Sequence, residues 1–335
     1  MKKWLHKIVH CSLVLPVLMM QSCFYEYPSA SKGYAPGIGE DPTTVDAFLE
    51  VAFEIDWGEM IHVVDFNQDS RAATLRRHRI VIEVLDKNDK VCHDVEYLSD
   101  EEFAHGILRH RLSVPLAARN YDIAVWYDRQ DDNGIHSFSA DNLSRVKLTN
   151  TSTTDADLMR CAYASHNLDL RDYNVEEETS VASHIELDHP GARFEIIATD
   201  IQQFITDQKE ALLQDDSFTA HLSFRSMISS FNIYSGEVIW EDENFNISGR
   251  MRLPFAQYDE LKIAEGFVFC GNQDEVSATL SVKNSALVTV TQTDVFSFPV
   301  KRGYITKVTG DFLTNSIDGL FSIDNVWDGI IEIEI

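Results

Sequence analysis

The fold is decided by two short runs of the chain, RIVIEVLD at residues 79–86 and YDIAVWY at residues 121–127. The first run is rich in β-branched residues and ends in a polar segment, residues 87–90, that is typical of a turn. The second run alternates, and its apolar face consists of Tyr121, Ile123, Val125 and Tyr127. Both patterns predict β-strands that pack in a sheet.

Runs of the same kind recur outward from these two segments. One lies at 51–57, and the others follow at 184–187, 192–198, 218–225, 229–234, 246–256, 260–271, 275–284, 286–293, 295–301 and 303–312. Many short strands bounded by Asn, Asp and Gly predict β-sandwiches. The polar stretch 128–160 is interpreted as a long loop with weak structure.

Helical spacing appears in two places. Apolar residues at helical intervals predict an amphipathic helix over about 200–213, with Thr199 as its N-cap. A second short helix is predicted around 99–107. The sequence therefore predicts an all-β protein with one or two short helices, built as two β-sandwich domains, residues 45–180 and 181–335.

The first 22 residues predict an export signal. Three lysines precede an apolar stretch from Ile8 to Met20, and a helix of that length rises about 20 Å, less than the ~30 Å core of a bilayer. The stretch ends in Met19-Met20-Gln21-Ser22-Cys23, which resembles a lipobox. We expect Cys23 to carry acyl chains such as palmitate and to anchor the mature protein in a membrane. An ordinary signal peptide is the alternative.

Residues 23–44 are rich in proline and glycine and predict a tether between the lipid and the folded body. The formal net charge of the whole chain is −26, which repels nucleic acid and anionic lipid headgroups. Nucleic-acid binding is therefore not expected, and the lipid on Cys23 is the expected contact with the membrane.

Three cysteines remain in the mature chain beside Cys23, namely Cys92, Cys161 and Cys270. Their number is odd and no C-x-x-C spacing occurs, so neither a disulfide framework nor a zinc site is indicated. We expect buried free thiols, and a single disulfide is the alternative.

The sequence gives no sign of catalytic or cofactor chemistry. It lacks the G-x-S-x-G, P-loop, G-x-G-x-x-G and H-E-x-x-H motifs, and its histidines are scattered. We expect no enzyme activity, no cofactor and no metal site. The acidic segment 128–134 is interpreted as a polar connection closed by an Asn-Gly turn, with a calcium loop as the alternative.

Three segments together resemble a family, the Bacteroidales fimbrial anchor and accessory lipoproteins. They are residues 116–126, residues 189–200 and residues 298–314, and the last is similar to a P-h-x-R-N-x-x-T-x-h-x-G-x-x-L-T pattern in which h is hydrophobic. Gly303 stands where asparagine is usual in that pattern. The resemblance implies two tandem transthyretin-like, Greek-key β-sandwiches and fimbrial subunits as partners.

The resemblance also implies assembly by β-strand complementation, in which one subunit adds a strand to the sheet of another. The last residues alternate, with Ile331, Ile333 and Ile335 on one face, and form a candidate exchange strand. That this segment closes its own sheet is an equal alternative.

The predicted function is that of a lipid-anchored fimbrial subunit of the outer membrane at the cell surface, with an anchor or an assembly role. The alternative is an outer-membrane lipoprotein that binds a glycan or a host protein outside any fimbria. That alternative predicts exposed aromatic side chains clustered in a groove.

Overall fold

A computed structural model describes residues 44–52, 77–87, 89–131, 134–149, 159–171, 180–208, 217–224, 228–240, 245–252, 260–272, 274–314, 322–323 and 330–334. From 245 to 252 and from 322 onward the description is of the backbone alone.

The described residues form β-strands and two short helices. In chain order the strands are β1 Thr44–Ala52, β2 Arg77–Asp86, β3 Asp89–Leu98, β4 Ile107–Arg111, β5 Leu116–Ala117, β6 Asn120–Gln130, β7 Phe138–Ser139, β8 Val146–Leu148, β9 Cys161–Asp169, β10 Ser180–Glu186, β11 Gly191–Ala198, β12 Ser217–Phe224, β13 Ser230–Asn232, β14 Glu237–Ile239, β15 Phe245–Arg252, β16 Leu261–Phe269, β17 Asp274–Asn284, β18 Thr289–Gln292, β19 Phe296–Val300, β20 Ile305–Gly310, β21 Ser322–Ile323 and β22 Ile330–Glu334. The helices are α1 Asp100–Phe103 and α2 Ile201–Asp207.

Five sheets, which we number I to V, collect these strands. Sheet I has the order β10-β1-β4, with β5 also on β1, and sheet II has the order β3-β2-β6-β9. Sheet III is β14-β13-β8-β7, sheet IV is β16-β11-β20-β22-β21, and sheet V is β15-β12-β17-β18 with β19 also on β17. The protein is thus mostly β, as predicted, and most of its strand pairs are antiparallel.

The central strands of sheet II, β2 and β6, are buried on both faces, which explains the continuous apolar runs of their sequences. Ile80 and Ile82 of β2 point into a first core shared with sheet I, whereas Val81 points into a second core shared with sheets III, IV and V. In β6, the predicted face that includes Ile123 and Val125 lies in the first core. The intervening Trp126 lies in the second.

The prediction of a long, weakly structured loop over residues 128–160 is wrong for the stretch 134–149. It contains β7 and β8, and Phe138, Leu143 and Val146 are essentially inaccessible to solvent. β8 pairs with β13 of the second half of the chain, through Lys147 opposite Ser230. These strands are too short to leave an alternating pattern, so their burial depends on a partner that is distant in sequence.

Two other local predictions change. α2 ends at Asp207, and Asp200, not Thr199, precedes its first residue as the N-cap. β10 pairs in parallel with β1, so sheet I extends past the predicted domain boundary at residue 181. The division into two domains stays a prediction.

α1 confirms the short helix expected around residues 99–107. Ser99 caps it, and the Glu102 carboxylate accepts a hydrogen bond from the Ser99 backbone N–H at 2.9 Å, which completes a capping box. Within the part of the chain that the structure describes, no helix has the length and apolar character needed to cross a bilayer.

Candidate functional site

The C-terminal strand β22 is the candidate exchange strand. It runs parallel to β20, with Ile331 opposite Thr306 and Ile333 opposite Val308. Ile335 lies outside the described residues. In this structure β22 therefore lies in the sheet of its own chain, and its exchange with another subunit stays a prediction.

The far edge of β22 is paired with β21. Among the described residues this pairing has two positions, Ser322 opposite Glu334 and Ile323 opposite Ile333. An unpaired strand edge presents backbone N–H and C=O groups that a further strand can bond.

The neighbour of β22, strand β20, belongs to one of the segments that carry the fimbrial resemblance. On its other side β20 pairs in parallel with β11, from Arg193 opposite Ile305 to Ala198 opposite Gly310. β11 belongs to a second of these segments, residues 189–200. Residues 189–200 and 298–314 therefore lie side by side, next to the candidate exchange strand.

Hydrogen bonds join these two segments at both ends. At one end, Gly303 N–H donates to the Gly191 carbonyl at 2.9 Å. At the other end, Asp200 Oδ2 accepts from the Leu313 N–H at 2.9 Å and from the Thr314 hydroxyl at 2.7 Å. Asp200 therefore fixes the chain that leaves β20, which explains an aspartate at the end of the 189–200 segment.

Two glycines allow the close approach at the first end. A Cβ on Gly191 would lie 2.1 Å from the Val268 carbonyl oxygen, so no larger residue fits there. Gly303 has a φ of +78°, in the left-handed region that glycine adopts without steric penalty.

The remaining segment, residues 116–126, closes a tight connection between β5 and β6. The Tyr121 hydroxyl accepts from the Ala117 N–H at 3.0 Å and donates to the Ala117 carbonyl at 3.2 Å. Tyr121 thus holds the turn that precedes it. All three segments position backbone, and their role here is architectural.

A cluster of aromatic rings, which we call the seam, joins the two halves of the chain. Its members are Trp126, Phe138, Tyr163, Phe231, Phe267 and Phe269. Phe138 lies edge-on to Trp126 at 5.3 Å and to Phe267 at 5.5 Å between ring centroids. Such contacts make the two halves one packed unit.

Arg302 spans the seam with three hydrogen bonds. Its guanidinium donates to the Tyr163 hydroxyl at 3.0 Å, to the Gly236 carbonyl at 3.0 Å and to the Cys270 carbonyl at 3.2 Å. It also lies 5.3 Å from the centroid of the Phe231 ring. One residue of the 298–314 segment thereby connects sheets II, III and IV.

A buried carboxylate also crosses between the halves. Glu83 is 2% exposed, and its Oε1 accepts from the Tyr234 hydroxyl at 2.9 Å, while Lys90 and His93 flank its Oε2. Burial, together with the bond to this carboxylate, raises the pKa of the Tyr234 hydroxyl well above its ordinary value. Sequence gave no signal for this pair, because its partners are far apart in the chain.

Asp128, the first residue of the acidic segment 128–134, is not free to bind calcium. It is fully buried and pairs with the Arg79 guanidinium through both carboxylate oxygens, and Trp126 Nε1 donates to it at 3.0 Å. Gly134 has a φ of +78°, and its N–H donates to the Asp131 carbonyl at 3.0 Å. Asn133, the other residue of the predicted turn, lies outside the described residues. The described residues contain no group of three or more metal-binding side chains.

The cysteine prediction is confirmed. Cys92, Cys161 and Cys270 are buried and free. Burial raises the pKa of the Cys92 thiol and of the Cys270 thiol to about 12, and that of the Cys161 thiol well above its ordinary value. Cys23 and the tether lie outside the described residues.

The fold and the site define a protein of stacked β-sheets whose two halves share a core and whose last described strand lies between β20 and β21. The chain belongs to the family of unknown function DUF6562, which it matches over residues 42–335. No curated protein matches it at a significant level.

Several solved structures are similar to this chain. The fimbrial anchor protein Mfa2 of Porphyromonas gingivalis is 15% identical, with 75% of this chain and 82% of that chain covered and a TM-score of 0.40. A fimbrial assembly protein from Parabacteroides distasonis is 13% identical, with 79% and 90% covered and a TM-score of 0.34. A proposed adhesin from Bacteroides ovatus is 12% identical, with 79% and 80% covered and a TM-score of 0.42.

Proposed function

We propose that this chain is a lipid-anchored structural subunit of a cell-surface fimbria, with an anchor or assembly role. In this proposal Cys23 holds the protein in the outer membrane, residues 23–44 form the tether, and residues 45–180 and 181–335 form two transthyretin-like, Greek-key sandwiches. Other fimbrial subunits are its partners. The role is structural and requires no catalytic residue and no cofactor.

The observation that carries the proposal is the position of β20. This strand belongs to the segment most similar to fimbrial lipoproteins, and it lies between a second such segment, in β11, and the C-terminal strand β22. The residues that carry the family resemblance therefore form the part of sheet IV beside which the candidate exchange strand lies.

Strand exchange beside β20 requires no specific side-chain contact. β22 bonds β20 along five positions through main-chain groups, from Ile305 opposite Ile330 to Thr309 opposite Glu334. A strand from another subunit can form the same bonds, because a ladder of backbone hydrogen bonds does not depend on the side chains.

The proposal is tested on tagged protein recovered from cells. Membrane extracts are run on detergent gels with and without boiling, and any chains that migrate with the protein are identified by mass spectrometry. We expect a ladder of high mass that collapses on boiling and contains a second β-sandwich subunit. A single monomer band in both lanes would instead favour the surface lipoprotein that binds a glycan or a host protein.

The tether is tested separately with Cys23→Ala. Without an acylated cysteine the folded protein should leave the membrane fraction, because nothing else is proposed to anchor it. The same variant remaining in the membrane fraction would refute the lipid anchor.

A further inference from the structure

The hairpin between β17 and β18 ends in an exposed tip, residues 285–289, whose apex is apolar. Leu287 and Val288 are 74% and 57% exposed, and Ala286 beside them is exposed as well. Single exposed apolar residues are common on soluble proteins, but three further features distinguish this tip.

The first feature is backbone strain. Leu287 has a φ of 60°, a conformation that a bulky residue adopts only at a cost, and its exposed side chain gains little packing in return. Glycine or asparagine would form the same turn with less strain. Strained residues collect at functional positions, where they have a use other than stability.

The second feature is the lack of acidic residues along the hairpin. The chain has 54 acidic residues among 335, yet none lies between Glu275 and Asp294, and the only charged residue in that stretch is Lys283. A molecule with a net charge of −26 is repelled by anionic surfaces. This hairpin can approach lipid headgroups without that repulsion acting locally.

The third feature is that the tip bonds its own backbone. The Asn284 N–H donates to the Val288 carbonyl at 3.0 Å, and the Leu287 N–H donates to the Asn284 carbonyl at 2.9 Å. The Val288 N–H donates to the Asn284 side-chain oxygen at 3.0 Å. Backbone groups that are bonded within the protein can enter an apolar medium, whereas unbonded ones cannot do so without a large cost.

We propose that this tip inserts into the surface layer of the lipid bilayer to which the chain is attached. Leu287 and Val288 enter the apolar layer, the hydroxyl groups of Ser285 and Thr289 lie among the headgroups, and the Lys283 ammonium pairs with lipid phosphate. The inference rests on the membrane attachment proposed above.

The length of the tether permits this contact. The 20 residues between Cys23 and Thr44 span at most about 70 Å when fully extended. A compact body of this chain length has a diameter of about 50 Å, so no face of it is out of reach of the membrane.

The tip does not replace the lipid anchor. Two side chains bury much less apolar surface than an acyl chain, and a single acyl chain is itself only a marginal anchor. Insertion of the tip therefore orients a protein that the lipid already holds.

The test uses residues 24–335 with an N-terminal hexahistidine tag, held on phosphatidylcholine vesicles that contain a nickel-chelating lipid. Ala286→Cys carries the fluorophore NBD, and the native thiols stay unlabelled because Cys92, Cys161 and Cys270 are buried. We expect the NBD emission to shift to the blue on the vesicles and to be quenched by brominated lipid. Absence of both changes would overturn the proposal without touching the lipid anchor, because the tag takes the place of Cys23.

Two further variants locate the contact. Leu287→Asn in the labelled chain should abolish the blue shift, and because asparagine tolerates positive φ, circular dichroism should show an unchanged fold. A label at Gln292→Cys, exposed on β18 and about 13 Å along the strand from Val288, should show no shift. A shift that survives Leu287→Asn, or that is equal at residue 292, would mean that the protein adsorbs without inserting its tip, and would overturn the proposal.

Discussion

Leu287 adopts a left-handed backbone conformation, with a φ of 60°, at the tip of the hairpin between β17 and β18. Its side chain is 74% exposed, so packing does not compensate for that conformation. Leu287→Gly should therefore raise the free energy of unfolding by about 0.5–1 kcal/mol, since glycine adopts positive φ without penalty. Urea denaturation of the two proteins measures the difference.

The neighbouring residue is the matched control for this substitution. Val288 is 57% exposed and has no positive φ. Val288→Gly should destabilise the protein, because glycine there only adds freedom to the unfolded chain. A gain in stability from both variants would mean that the strain at Leu287 is not the cause.

The cysteines give a direct chemical test of the N-terminus. In the folded mature protein Cys92, Cys161 and Cys270 should react slowly with a thiol-reactive disulfide at pH 8, because burial raises their pKa values. In denaturant, three thiols per chain should react if Cys23 carries lipid. A count of four would show that Cys23 is free.

Four buried or half-buried histidines predict a loss of stability in mild acid. Burial lowers the pKa of His78 below its ordinary value of 6.5, and His136, His166 and His221 are affected in the same way. Below about pH 6.5 the unfolded chain therefore binds more protons than the folded one, and the free energy of unfolding falls as the pH falls. Urea denaturation at pH 7.5 and pH 5.5 should show this decrease.

His78→Gln isolates one contribution to that decrease. Glutamine does not titrate, so the variant should show a smaller change between the two pH values than the wild type. An equal change in both proteins would assign the effect to other groups.

At the level of elements, the register of β20 and β22 shows where an engineered disulfide can test strand exchange. Lys307 lies opposite Glu332. Cysteines at both positions should form a disulfide that keeps β22 in its own sheet. If β22 must leave for assembly, the oxidised variant should give no ladder on unboiled gels, and reduction should restore it.

A second engineered disulfide is the control for the effect of oxidation itself. Asp122 lies opposite Asn167 in sheet II, a different sheet from the one that contains β22. Cysteines there should oxidise without any effect on assembly. If the oxidised variant with cysteines at 307 and 332 still gives a full ladder, β22 closes its own sheet and is not exchanged.

The sequence predicts a strand correctly where the strand's own apolar residues are enough to define a buried face. β2 and β6 in sheet II have enough consecutive apolar residues to define a strand without knowledge of their partners. β7 and β8 have two and three residues, and they are held by contacts with β13 and the seam. The buried pairs Arg79–Asp128 and Glu83–Tyr234 were missed for the same reason, because each joins residues far apart in the sequence.

At the scale of the whole molecule, sheet III and the seam predict a single unfolding transition. Cys92 lies in the first core and Cys270 in the second, so their labelling reports on the two halves separately. In increasing urea, both thiols should become reactive at the same concentration. Two separate midpoints would show that the predicted domains unfold independently.

Phe231→Ala extends that test. Phe231 is fully buried, 4.7 Å from the Tyr163 ring and 5.7 Å from the Phe269 ring between centroids. Its loss should lower the free energy of unfolding by about 3–5 kcal/mol. Both labelling midpoints should shift together, although Phe231 and Cys270 lie in the same half. A shift of Cys270 alone would contradict the coupling.

Sheet III takes strands from both halves of the chain, and this has a consequence for how the gene evolves. Gene exchange that replaces one half of the chain at residue 181 would separate β8 from β13 and Phe138 from Phe267. The hybrid would have to match two foreign surfaces at once, and most such hybrids should not fold. The two halves are therefore expected to be inherited as one unit, and substitutions at Trp126 or Phe138 should be tolerated mainly with compensating changes at Phe267 or Phe269.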